Sequence, residues 1–416
     1  MMKKTLILAV LAVCLCLSAA AQRDENFKYM RGSLYMMMVE HPTLQFNAQI
    51  EAVFKKMDIP ERFNNHDLGV RVIGFTNDDN QLQNIKVWGT KQQIAKRLVS
   101  RWFDRKKETG TFDTELLRER GHYSATKIDV RLAEQQQRKS AILEDLGENL
   151  LHHTYWVVHD IRYVNQASFL GSIKEAVVVG SSLVGTASDL KHTVTDKDYE
   201  SGKDKKNEEN ANEALSFMDK YKGFKLKVTS YLFRLKWDEE VANTFYLNYY
   251  TETPDEEADK VSAFQADKDL FQLEYLGEVE NTSTKMSYAG TKTEEDIVRK
   301  VCTRALDKNL ADLQHKFSDF RIKAPLVSNG PLKAYVGMKE DITEKSRFEV
   351  LEVVQDTEGR TTYNRVGIIR PVKGKIWDNR YMADEEGSAE AKLDGTLFEK
   401  VSGSDFQPGM LIRETK

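Results

Sequence analysis

Eight histidines and three cysteines are spread over 416 residues, so the few that lie close together are the first places to look for chemistry. His152, His153 and His159 form one group, with Asp160 beside the last. Imidazole and carboxylate are zinc donors, which makes these three histidines the candidate metal ligands. Their spacing matches no zinc signature, and the stretch crosses a predicted helix-to-strand boundary. Ordinary helix-end histidines, favoured by the negative end of the helix dipole, account for the same residues. A second group is Arg365, Arg370, Lys373, Lys375, Trp377, Arg380 and Tyr381. Basic side chains interleaved with aromatics can grip an anionic or sugar-containing polymer by charge-assisted hydrogen bonds and cation–π contacts. These are the candidate binding residues. The same pattern also suits a β-barrel with Trp377 inside and the basic residues on the outer face.

No catalytic residue is assigned, and the residues call for no cofactor. Gly180-Ser181-Ser182-Leu183-Val184 lacks the closing glycine of a nucleophile elbow, and no Lys-Ser or Lys-Thr follows Gly185 as a phosphate-binding loop requires. Neither a His-Glu-x-x-His pair nor an EF-hand loop occurs. Carboxylate pairs such as Glu239-Glu240 and Glu256-Glu257 read as solvated surface. Cys302 shares a three- and four-residue rhythm with Val298, Leu306, Leu310, Leu313 and Phe317. That rhythm puts the thiol on the buried face of a helix, as a small apolar group.

Residues 1–21 read as a signal peptide. Lys3 and Lys4 precede an apolar run from Leu6 to Leu17, and Ser18-Ala19-Ala20-Ala21 supplies small residues for cleavage before Gln22. The run is shorter than the ~20 residues a spanning helix needs. Val13 precedes Cys14 and Leu15 precedes Cys16, so neither cysteine has the small neighbour that lipidation requires. Export would leave Cys302 alone, without an intramolecular disulfide. Loss of Lys3 and Lys4 takes the formal charge from −4 to −6. Such a balance argues against a nucleic-acid partner, which demands a basic footprint. The expectation is a protein in the periplasm or associated with the outer membrane, with an envelope protein as partner, membrane contact at most peripheral, and oligomeric state open.

Residues 22–165 are expected to form an α/β domain. Residues 23–45 are weakly patterned and read as a lead-in. Leu68 to Phe75 alternates like a strand, Ile85 to Trp88 resumes an extended pattern, and Ile94 to Phe103 falls on a helical face. A helix is predicted from about Val130 to Leu151, running into a strand from Tyr155 to Tyr163. Residues 166–222 hold a small apolar segment, Ala176 to Gly185, and a charged linker, Lys197 to Asn212. Residues 223–320 read as a second α/β portion. It contains a hairpin of Thr229 to Trp237 and Phe245 to Tyr249 turning at Asp238 to Asn243, a strand from Phe271 to Val279, and the Cys302 helix opened by Thr291 and Glu294. Residues 321–416 show short extended runs, Leu332 to Val336, Phe348 to Val354, Tyr363 to Ile369 and Lys375 to Trp377, between turn residues. They predict a small all-β barrel or sandwich. The fold class is therefore an α+β or α/β region with a mixed sheet and packed helices, followed by that β domain.

Two stretches carry resemblances. Leu116-Leu117-Arg118-Glu119-Arg120-Gly121-His122-Tyr123, then Asp145-Leu146-Gly147, then Tyr155 to Val158 resembles an α/β domain found in the curli secretion channel and other envelope-assembly lipoproteins. The tail resembles the β domain that ends a flagellar outer-membrane collar protein, through Val336-Gly337-Met338-Lys339-Glu340-Asp341, Phe348-Glu349-Val350, Val366-Gly367 and Phe406-Gln407-Pro408-Gly409-Met410. The resemblances imply a non-enzymatic role in envelope assembly, scaffolding or partner binding, and carry over no ligand or binding residue. An exported hydrolase acting on polysaccharide or peptide, and a polymer-binding module, are the competing readings.

Overall fold

Ser33-Leu34-Tyr35-Met36-Met37-Met38-Val39 is apolar at every position but the first, the mark of a strand covered on both faces. The computed structural model places it as strand β1 (Ser33–Val39), buried throughout. The structure describes residues 32–60, 62–74, 80–124, 148–164, 221–253, 257–288, 293–321, 323–355, 361–383 and 393–415. The signal segment, most of the predicted 130–151 helix, Ala176 to Gly185 and the charged linker lie outside these residues. β1 corrects the lead-in expected for 23–45. Its unbroken apolarity shows no period of two because both of its faces meet core.

Helix α1 (Asn47–Lys55) follows, then the two-residue strands β2 (Asn64–Asn65) and β3 (Val72–Ile73). Helices α2 (Gln81–Lys91), α3 (Ile94–Trp102) and α4 (Glu115–Ser124) precede β4 (Thr154–Tyr163). The chain continues through β5 (Tyr221–Leu235), α5 (Glu239–Asn248), α6 (Ala258–Ala266), β6 (Leu273–Tyr288) and α7 (Glu294–Lys316). β1 pairs in parallel with β2, β3 and β4, whereas β4–β5 and β5–β6 are antiparallel. The order β2-β1-β4-β5-β6, with β3 also beside β1, makes one mixed sheet from both α/β portions.

Alternation along the strands feeds two cores. Tyr35, Met37, Val39, Trp156 and Val158 join the side covered by α2, α3, α5 and α6. Met36, Met38, Tyr155 and Val157 join the other side with α1 and α7. On α7, Val298, Cys302, Leu306, Leu310 and Leu313 are all 0% exposed, as their spacing predicts. The helix is capped by Thr293, whose side chain accepts the Asp296 N–H, two residues after the expected opening.

Two predicted strands are helices. Ile85 to Trp88 lies in α2, where Ile85 and Gly89 are buried and Val87 is 55% exposed; three apolar residues in a run of four do not distinguish the two periods. Phe245 to Tyr249 begins inside α5, where Asp238 caps the first turn by accepting the Val241 N–H at 3.0 Å. Glu239 and Glu240 suit the positive end of that helix, and Val241 and Phe245 are its buried i, i+4 pair. Leu247, assigned to the strand face, is 72% exposed. Among the described residues of the predicted Leu68 to Phe75 strand, Val72–Ile73 pairs as strand.

The C-terminal part closes into a barrel in the order β10-β11-β8-β7-β12-β9. Its strands are β7 (Ala324–Asn329), β8 (Leu332–Ala334), β9 (Phe348–Gln355), β10 (Thr361–Pro371), β11 (Thr396–Gly403) and β12 (Leu411–Glu414). Leu326, Phe348, Val350, Ile369, Phe398 and Ile412 fill the interior. A 3₁₀ turn, Met338–Glu340, follows β8. Lys375 to Trp377 forms no strand. Trp377 instead makes an isolated parallel bridge with Gly337, where a Cβ would lie 2.2 Å from the Trp377 carbonyl oxygen.

Candidate functional site

Two clusters of ionisable residues stand out among those of the described residues. The first lies at the carboxyl end of the parallel strands, where open α/β sheets commonly place their ligands. His41 follows β1, and Asp160 sits opposite Val39 in the β1–β4 register. His41 Nε2 lies 2.6 Å from Asp160 Oδ1, and the His41 backbone N–H donates to Asn47 Oδ1 at 2.9 Å. Arg162 clasps the same carboxylate through Nε and Nη2, each 3.0 Å from one oxygen. Burial works to raise the pKa of Asp160, but the His41 and Arg162 bonds outweigh it and hold the carboxyl below its ordinary value. A carboxylate that orients an imidazole is part of many acid–base sites. Here the side chains are 3% and 7% exposed, so the pair closes the end of the sheet and offers no ring edge to a substrate.

The second place is the seam between α7 and the barrel. Arg62, only 4% exposed, pairs with Glu340. Glu340 Oε2 also accepts from the Gly337 N–H at 2.7 Å and from Asn379 Nδ2 at 2.8 Å. Lys339 Nζ lies 3.6 Å from Asp307 on α7. Burial raises the pKa of Asp307 despite the neighbouring Lys339 and Arg62 charges. Lys308 bridges Asp312 on its own helix and Asp341 on the barrel, at 2.9 and 2.8 Å. His315 Nε2 meets Glu414 Oε2 at 2.8 Å. Arg304 donates twice to the Tyr381 carbonyl oxygen. Asp312, His315 and Asp341 each bring a ligand atom within 4.8 Å of the others, a set able to hold a metal ion.

The predicted histidine group does not converge. His152 Nδ1 faces the Trp237 carbonyl oxygen at 3.1 Å and His153 Nδ1 that of Asn149 at 2.8 Å. His159 lies six extended residues further on, roughly 20 Å away, with Nδ1 2.7 Å from Ser230 Oγ in the α7-side core. Burial lowers the His159 pKa to about 3, so the ring stays neutral. The basic group divides. Arg365 and Arg370 are exposed on β10, Lys373 and Lys375 are exposed in the turn that follows it, and Arg370 is tied to Glu399 at 2.5 Å. Trp377, Arg380 and Tyr381 are half-buried at the seam. There Trp377 N–H donates to Thr396 Oγ1 at 3.0 Å and Arg380 clasps Asp378.

Sequence reasoning passed over His41, Arg62, Glu340, Asp312 and Asp341. The i, i+4 spacing of Lys308 and Asp312, and the i, i+3 spacing of Asp312 and His315, could have flagged the α7 half of the seam. No local signal joins that half to Asp341. The fold thus defines a mixed-sheet α/β unit carrying a closed six-stranded barrel. Comparison with protein-family models and with curated proteins finds no match.

Proposed function

We propose that this chain is a non-catalytic, exported cell-envelope protein that works in assembly, scaffolding or partner binding, with the α/β unit as platform and the barrel as contact surface. The observation that supports this reading is the exposed basic surface of β10 and the turn after it. Arg365, Lys373 and Lys375 are exposed there, and among the described residues they take part in no ion pair. Exposed cations that make no ion pair among the described residues, on a barrel held to α7 by the ion pairs of the seam, are suited to steer and fix an acidic partner surface. Export rests on the signal-peptide pattern of residues 1–21. Among the described residues no helix is long and apolar enough to cross a membrane.

Fractionation of intact cells with cross-linking and mass spectrometry tests the reading. The expected result is a chain beginning at Gln22, in the envelope fraction, linked to a defined envelope protein. Reversing the charges in an R365E/K373E/K375E variant should abolish that link while moving stability by no more than about 0.5 kcal/mol, as for surface positions generally. Recovery of the chain unlinked, or a link unchanged by the reversal, would overturn it.

A further inference from the structure

Asp312 and His315 stand one turn apart on α7, so their side chains leave the helix on one face. Asp341 reaches them from the barrel, immediately after the 3₁₀ turn. The three ligand atoms lie within 4.8 Å of one another. Two carboxylate oxygens and one imidazole nitrogen are a donor set for borderline divalent ions such as Zn²⁺, with room for water as a fourth ligand.

Groups outside the trio already orient it. Asn281 Nδ2 donates to Asp312 Oδ2 at 2.6 Å, which turns Oδ1 toward the shared space. Glu414 Oε2 sits 2.8 Å from His315 Nε2. Accepting the Nε2 proton fixes the tautomer and leaves the Nδ1 lone pair for an ion, the carboxylate–histidine arrangement usual around bound zinc. The shared space is filled by the Lys308 ammonium, 2.9 Å from Asp312 Oδ1 and 2.8 Å from Asp341 Oδ2. Lys308 is 45% exposed on a flexible stem, free to turn outward to water. Arg321 also faces the group, donating to the Gln314, His315 and Glu414 carbonyl oxygens. The Glu414 bond raises the His315 pKa, so an ion takes the place of any proton on Nδ1 as well as of the ammonium; with the ring then neutral, Asp312, Asp341 and Glu414 outweigh Lys308 and Arg321 by one negative charge. A divalent ion in place of the ammonium cancels that excess.

We propose that Asp312, His315 and Asp341 form a site for a divalent transition-metal ion of the zinc class, which displaces Lys308 and clasps the barrel to α7. The ion joins residues of both parts, so it stabilises their docked arrangement and not either part alone. Calorimetric titration of the full chain with ZnCl₂, after removal of metals by a chelator, tests the site, with thermal unfolding as second readout. The expected result is saturable binding of one equivalent with a rise in Tm. H315Q and D341N should each weaken binding by more than about tenfold, and E414Q by about tenfold as an outer-shell change. K308M, which removes the competitor and leaves the ligands in place, should bind at least as tightly as the parent. No saturable binding in the parent overturns the site, and binding confined to K308M shows that the lysine excludes the ion. Binding that H315Q and D341N leave unchanged also overturns it, because the zinc then lies elsewhere.

Discussion

Asp160 shows how one buried carboxylate is made tolerable. It is almost closed to solvent, yet its oxygens are held by His41 and by both arms of Arg162. Its folded-state pKa lies below the ordinary value, so its contribution is full above pH ~4 and is lost as pH falls through the folded-state pKa. D160N removes the charge and turns one accepting oxygen into an NH2 donor, so His41 and Arg162 lose the carboxylate and keep only the amide oxygen to share. The expected cost at pH 7 is about 3 kcal/mol, as for the breaking of a buried pair. Urea titrations from pH 7 down to pH 3 should show the gap between parent and variant closing toward the acid end. A gap that stayed constant would mean that the Asp160 charge contributes nothing. His66 is a second case. Its Nδ1 faces Arg120 at 2.6 Å and its Nε2 the Leu98 carbonyl oxygen at 2.9 Å, which ties α4 and α3 to the chain beside β1. Burial and the Arg120 charge hold its pKa well below the ordinary value, so it adds no positive charge to the core.

At the scale of elements, close approach decides what a residue is worth. Gly89 lies on the buried side of α2, and a Cβ there would stand 2.9 to 3.0 Å from the Trp156 indole, itself 1% exposed. Helix propensity favours alanine over glycine by about 1 kcal/mol, while overpacking a rigid core costs about 1–3 kcal/mol. G89A is therefore expected to lower stability by about 1 kcal/mol in urea denaturation. A gain would show that α2 can slide off the indole. The same scale shows where sequence reading succeeds. The Cys302 stripe was legible because one helix face repeats every three to four residues over 23 residues. β4 was legible as an apolar run after a helix end. α5 was not, because Phe245, Leu247 and Tyr249 mimic alternation while the cap at Asp238 and the Val241–Phe245 pair decide for helix.

Across the whole molecule, the barrel and the α/β unit meet through charge. Arg62 and Glu340 are 278 residues apart in the chain, and Arg62 Nε and Nη2 are buried without a hydrogen-bond partner among the described residues. Buried guanidinium is tolerable only while its carboxylate stays in place. R62A leaves the Glu340 carboxylate half-enclosed and loosens the seat of the barrel. Calorimetry should then resolve two unfolding transitions where the parent shows one, since domains joined by a polar interface uncouple readily. A single transition at a lower temperature would instead place the loss inside one part.

Local order was settled by the sequence itself, wherever one backbone period repeats often enough to be seen: the α7 stripe, the long β4 run, and the runs that form β8, β9 and β10 of the barrel. Residue types also set the inventory of groups able to bind metal or polymer. Which of them meet was decided by tertiary structure. β1 became central because strands flank it on both sides and core covers both faces, a fact that leaves no alternation to read. His41 finds Asp160 across 119 residues, and Asp341 finds Lys308 across 33. Contacts of that kind carry no period, because they arise only once separate elements are packed. His159 was drawn away from His152 and His153, whose rings stay 5.4 Å apart, by the rise of a single strand.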